Sequence, residues 1–138
     1  MPLKADRRFP ERMPTTINHV TFDALDPYAQ ARWWCALFEV EMDPEDFPGD
    51  PAAIVHLPGG TGILFEQVPD GKVVKNRVHL DLTPDVPRDE MVDRLLGRGA
   101  AHVADHRRPD GSGWVVLADP EGNELCVERS AAERAGRG

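Results

Sequence analysis

The chain has 138 residues, 41% of them hydrophobic, with 24 acidic against 16 basic side chains and a formal net charge of −8. That length suits one domain with a real core and is too short for two ordinary ones. An acidic balance argues against a nucleic-acid or anionic-membrane surface, because both need clustered positive charge.

The first segment, "MPLKADRRFPERMP", is charged and lacks the apolar stretch of a secretory signal, so residues 1–15 are expected to be a flexible leader. No apolar run approaches the roughly 18 residues of a membrane span. The two cysteines, Cys35 and Cys126, share no C-x-x-C spacing, and a reduced cytoplasmic protein is the simplest reading.

"HVTF" (19–22) alternates Val20 and Phe22 against His19 and Thr21, as a half-buried strand does. Asp26 and Pro27 then open a helix: Asp caps free N–H groups and Pro suits the first turn. Ala31, Trp34 and Phe38 follow at helical spacing, and Cys35 shares this core-rich helix. Three short strands are expected next, near 40–43, 52–57 and 62–68, with "PGGTG" as the turn between the last two.

The pattern then recurs at an offset of 60 residues. His19 matches His79, Phe22 matches Leu82 and Pro27 matches Pro87; farther on, Gly62 matches Gly122 and Glu66 matches Cys126. In the second half, "VHLDL" (78–82) is the strand, Asp85 and Pro87 mark the helix start, and Met91, Val92 and Leu95 form its apolar stripe. The helix should stop near Gly97 or Gly99. Strands are expected near 100–105, 113–118 and 123–129, with "DPEGN" as the final turn. The fold class is therefore α+β: two tandem βαβββ modules, about 16–70 and 76–129, with apolar strand faces on the helices and the opposite faces lining a concave cup. Residues 130–138 are expected to be a flexible tail.

The residues "KNRVHLDL" (75–82), "DPEGNELCV" (119–127) and "DPYAQARWWCALF" (26–38) resemble the vicinal oxygen chelate superfamily. The likeness is to its glyoxalase-like and bleomycin resistance-like members and spans about residues 16–129. It implies a cup that holds a small oxygenated metabolite, in a protein that is often a homodimer. It also implies a divalent ion, such as Fe, Mn, Ni or Zn, bound by the first and last strands of each half. His19, Glu66, His79 and Cys126 occupy those positions. Relatives that bind metal carry a carboxylate where this chain has Cys126; Glu124 lies two residues earlier on the same face.

Two imidazoles and a carboxylate suit such ions, and the alternative is a metal-free pocket that kept its histidines. Glu66 is a candidate ligand or general base. Cys126 has three open readings: thiolate ligand, nucleophile, or small buried apolar residue. Trp114 and His56 are expected to face the cup with Glu124 and contact the ligand. His102 and His106 read as surface residues, and "HRRPDGSG" (106–113) as a solvated turn rather than an anion site. Two functions follow: a metal-dependent lyase, isomerase or dioxygenase, or a metal-free protein that sequesters an antibiotic or metabolite.

Overall fold

Two small sheets, each with one face turned to a shared core, make up the body of the protein. The computed structural model describes residues 15–136, so the leader expected over 1–15 lies outside the described residues except at its last position. The elements run β1 (His19–Ala24), α1 (Pro27–Phe38), β2 (Ala52–His56), β3 (Gly62–Gln67), β4 (Leu80–Leu82), α2 (Arg88–Gly97), β5 (Ala101–Asp105), β6 (Trp114–Ala118), β7 (Glu124–Glu128) and α3 (Ala131–Arg134). The first sheet has the order β1-β3-β2 and the second the order β4-β7-β6-β5. In each, the first strand pairs in parallel with the last.

The second half is βαβββ as expected. The first half is one strand short, because residues 40–43 are not a strand. The segment that follows, "DPEDFPGD", has two prolines that cannot donate to a ladder. Asp43 instead accepts from the Glu45 N–H at 2.9 Å and Asp46 from the Ile54 N–H at 2.9 Å, so local turns hold this stretch.

Asp26 caps α1, accepting from the Ala29 N–H at 3.1 Å, and Pro27 opens the helix. The expected cap on α2 differs. No side chain from its own approach segment serves; the Glu133 carboxylate accepts from the Arg88 N–H at 2.7 Å. The same carboxylate closes a capping box with Ser130 on α3. Residues 131–134, expected in the tail, are thus a capped helix tied to α2.

One core serves both halves. Trp34, Val55, Ile63 and Phe65 from the first half pack in a single cluster with Leu95, Leu117, Leu125 and Val127 from the second. Polar bonds cross the same seam. Asp119, in the "DPEGN" turn, is 3% exposed and accepts from Gln30 Nε2 at 2.8 Å and Trp34 Nε1 at 2.9 Å. It also accepts from the Glu121 and Asn123 backbone N–H groups and from Asn123 Nδ2. Glu121 caps the other side of the seam, accepting from the Leu25 and Asp26 N–H groups. Among the described residues no helix is long and apolar enough to cross a membrane.

Candidate functional site

The open face of the second sheet carries the site. Strand alternation puts Leu80 and Leu82 of β4 toward the core and leaves His79 and Asp81 on the other face. On β7, Leu125 and Val127 are fully buried in the core, so Glu124, Cys126 and Glu128 share the open face. The register places Asp81 opposite Cys126. Here His79 Nδ1 lies 3.6 Å from Cys126 Sγ and 3.2 Å from Asp81 Oδ1. One ligand atom from each of these three residues falls within 4.8 Å of the others.

The cluster lines a cavity of about 400 Å³. Trp114 and Val116 of β6 form another part of its wall, with Val103, Ala104 and His106 from the neighbouring strand and its end. A β-bulge between His102 and Ala104 brings both Val103 and Ala104 to the wall, where strict alternation would supply one.

Charge in the cavity is largely spoken for. Glu124 accepts from the Asn76 N–H at 3.0 Å and faces Lys75 Nζ at 3.3 Å. Burial pushes the Glu124 carboxyl up, but those partners outweigh it and hold it below its ordinary range. Glu128 pairs with Arg134 at 2.5 Å. Cys126 moves the other way. Burial first, then the Asp81 and Glu128 carboxylates, push its thiol up to about 11. That environment favours the neutral thiol over the thiolate near neutral pH.

Of the expected site residues, the structure brings together His79, Cys126, Trp114 and Glu124. His19 and Glu66 lie exposed on the first sheet, outside this cavity. The ungapped offset of 60 matches Glu66 with Cys126, but the ladders do not. Cys126 stands opposite the residue two past His79, whereas the residue two past His19, Thr21, stands opposite Leu64; Glu66 stands opposite Asp23. The second half is longer between its paired strands, and a fixed offset cannot show that. His56, also on the first sheet, pairs with Asp43 at 2.7 Å.

Asp81 and His106 were not among the expected site residues. Asp81 was legible in principle, since it alternates with His79 in "HLDL". His106 needed the hairpin register: its N–H donates to the Trp114 carbonyl at 2.9 Å, which sets the two rings side by side. The loop between them is not an array of free cations. Arg107 is held by Asp105 and Asp89, and its two partners raise its basicity; Arg108 lies over the Trp114 ring.

Comparison with known proteins agrees with this architecture. A family model described as a glyoxalase-like domain matches residues 19–128. Oxidase ChaP-H2 is 24% identical, with 83% of this chain and 93% of that one covered and a TM-score of 0.56. A possible glyoxalase from Bacillus cereus is 15% identical, covering 82% and 97%, with a TM-score of 0.62. A mutant of the fosfomycin resistance protein FosX from Listeria monocytogenes, complexed with Mn(II) and 1S,2S-dihydroxypropylphosphonic acid, is 14% identical. It covers 89% and 98% with a TM-score of 0.64. At these identities the likeness is one of fold. No curated protein sequence matches the chain.

Proposed function

The chain belongs to the glyoxalase-like domain family, and from that premise we propose that it binds a small oxygenated metabolite in the cavity of its second sheet, with a divalent ion held by His79, Asp81 and Cys126. The observation that carries this reading is the convergence of one imidazole, one carboxylate and one thiol on a single cavity wall. The donor set fits a divalent ion. Imidazole and thiolate suit Zn or Fe, the carboxylate suits Mn as well, and three protein ligands leave room for a ligand's oxygens. An ion would have to displace the thiol proton that burial retains, so binding through Cys126 should strengthen as pH rises.

When bound, the ion would supply Lewis acidity toward a ligand carbonyl or hydroxyl. The chain's own residues do the rest. His79 Nδ1 lies between Asp81 and Cys126 and would turn to the ion together with them, while Val103, Ala104 and Val116 supply an apolar stretch of wall beside it. A lyase, isomerase or dioxygenase would use such a site. The related FosX crystallised with Mn(II) and a dihydroxy phosphonic acid is an instance of a metal and a vicinal oxygen ligand on this fold.

The test is elemental analysis and metal titration of the purified protein with Zn, Mn, Ni and anaerobic Fe(II). About one ion per chain is expected, lost in a His79→Ala, Cys126→Ala double variant. No stoichiometric ion, or unchanged binding in the double variant, would overturn the reading.

Metal-free sequestration is the second reading. It is favoured by the aromatic wall at Trp114 and by the pairing of Glu124 and Glu128. It predicts ligand binding that is indifferent to a chelator. A cytoplasmic homodimer is part of the proposal: β1 and β4 are edge strands, and Ile17 and Val78 beside them are 70% and 65% exposed. Sedimentation velocity should show twice the chain mass.

A further inference from the structure

We infer that the ligand of this cavity is a planar aromatic compound that carries its oxygen donors on one edge of the ring. The inference rests on the proposed function for the polar end of the cavity and adds the chemistry of the other end.

Trp114 opens β6, and its neighbours along the strand, Val115 and Leu117, point into the core. Trp114 itself points the other way and remains half-buried, although it is the bulkiest side chain on the cavity wall. Its indole has two close neighbours. The His106 ring lies 5.2 Å away, tilted by 39°, and the Arg108 guanidinium carbon lies 5.8 Å from the indole centroid.

The backbone beneath is built for this approach. Gly113 has φ +97°, and a Cβ there would lie 2.1 Å from the His106 carbonyl oxygen. Only glycine lets the hairpin close and place both rings on the cavity side. A flat, conjugated surface thus faces a cavity whose opposite end holds the His79, Asp81 and Cys126 donors.

Glu124 and Glu128 already have cationic partners, and Arg107 is bound to Asp105 and Asp89. What remains is shape and ring-on-ring contact. An aromatic ligand covers the indole and gains offset stacking or an edge contact with it; a short aliphatic ligand leaves it wet. A cavity of about 400 Å³ holds one or two fused rings with substituents.

The experiment compares two probes with one chelating group, benzohydroxamate and acetohydroxamate, on the Zn-loaded protein. The readout is the dissociation constant by calorimetric titration in every variant, with the Trp114 indole N–H resonance followed as well in the wild type. Benzohydroxamate should bind tighter by roughly tenfold or more. The preference should shrink to about threefold or less in Trp114→Leu and survive in Trp114→Phe, which keeps a ring.

Equal affinities in the wild type, or a preference that persists in Trp114→Leu, would overturn the inference. Benzamide and acetamide, which do not chelate, repeat the comparison on metal-free protein. If Zn fails to load, the metal reading fails, and this second pair still decides the matter. A Trp114 shift with benzamide alone supports an aromatic ligand; no shift with either refutes it.

Discussion

Cys126 is the buried thiol of the cavity wall, and its surroundings explain how it behaves there. It is 3% exposed and shares the cavity with Asp81 and Glu128. Burial and those two carboxylates keep it protonated to about 11. The sign follows: the native state holds this proton more tightly than the unfolded chain, so the neutral thiol persists through the physiological range. Stability drawn from it is complete below the ordinary thiol range and is lost as pH rises toward 11. Alkylation of metal-free protein, followed by mass spectrometry, should therefore run roughly a hundredfold slower at pH 8 than for a free cysteine. The rate should climb only toward pH 11, and Asp81→Asn should move the profile down. Rapid labelling at pH 8 would contradict this environment. Asp119 is a carboxylate committed to the fold. Five N–H groups point at it, two of them from α1. Asp119→Ala leaves Gln30 and Trp34 donors buried and unpaired, which should cost about 3 kcal/mol or more in urea unfolding.

At the scale of elements, the β5–β6 hairpin is the piece that shapes the cavity, and its glycines are unequal. Gly111 has φ +88° with nothing near its missing Cβ, whereas Gly113 abuts the His106 backbone. Gly111→Ala should cost roughly 1 kcal/mol from backbone strain alone. Gly113→Ala should cost about 3 kcal/mol and disturb the Trp114 indole resonance, because backbone must shift to admit the methyl. Equal costs would mean that the close approach is unimportant. Strand alternation made much of this level legible: Trp114 was expected to face the cup, and it lines the cavity with Val116 while Val115 and Leu117 lie in the core. The Asp26–Pro27 helix start was equally plain. The α2 cap was not, since Glu133 lies 45 residues from Arg88 and no local pattern links them. The strand expected at 40–43 was lost to Asp turns and prolines. For the site, His79 and Cys126 were legible through the repeat. The place of Glu66 was not, because a two-residue difference in strand register moves Leu64 into the matching position. That is a general limit of reading a sheet without its ladder: a slip of two keeps every face correct and every partner wrong.

The whole molecule is two sheets with one interior. Residues from both halves enter a single core cluster, and the seam adds bonds at three places: Asp119 to α1, Glu121 to the α1 entrance, and Trp33 Nε1 to the Arg98 carbonyl at 3.0 Å. A half removed from its partner would expose the apolar face of its sheet and leave these donors unpaired. Neither half therefore has an independent folded state to fall back on, despite the internal repeat. Two indole N–H resonances of the intact chain can test this, Trp34 from the first half and Trp114 from the second, followed through urea unfolding. Both should report a midpoint that coincides with the loss of helical circular dichroism. Asp119→Ala should lower both midpoints by similar amounts, because the bonds it breaks belong to the seam rather than to either half. A separate, earlier transition at Trp114 would show instead that the second sheet opens alone, and would make the cavity a locally unfolding element rather than a preformed one.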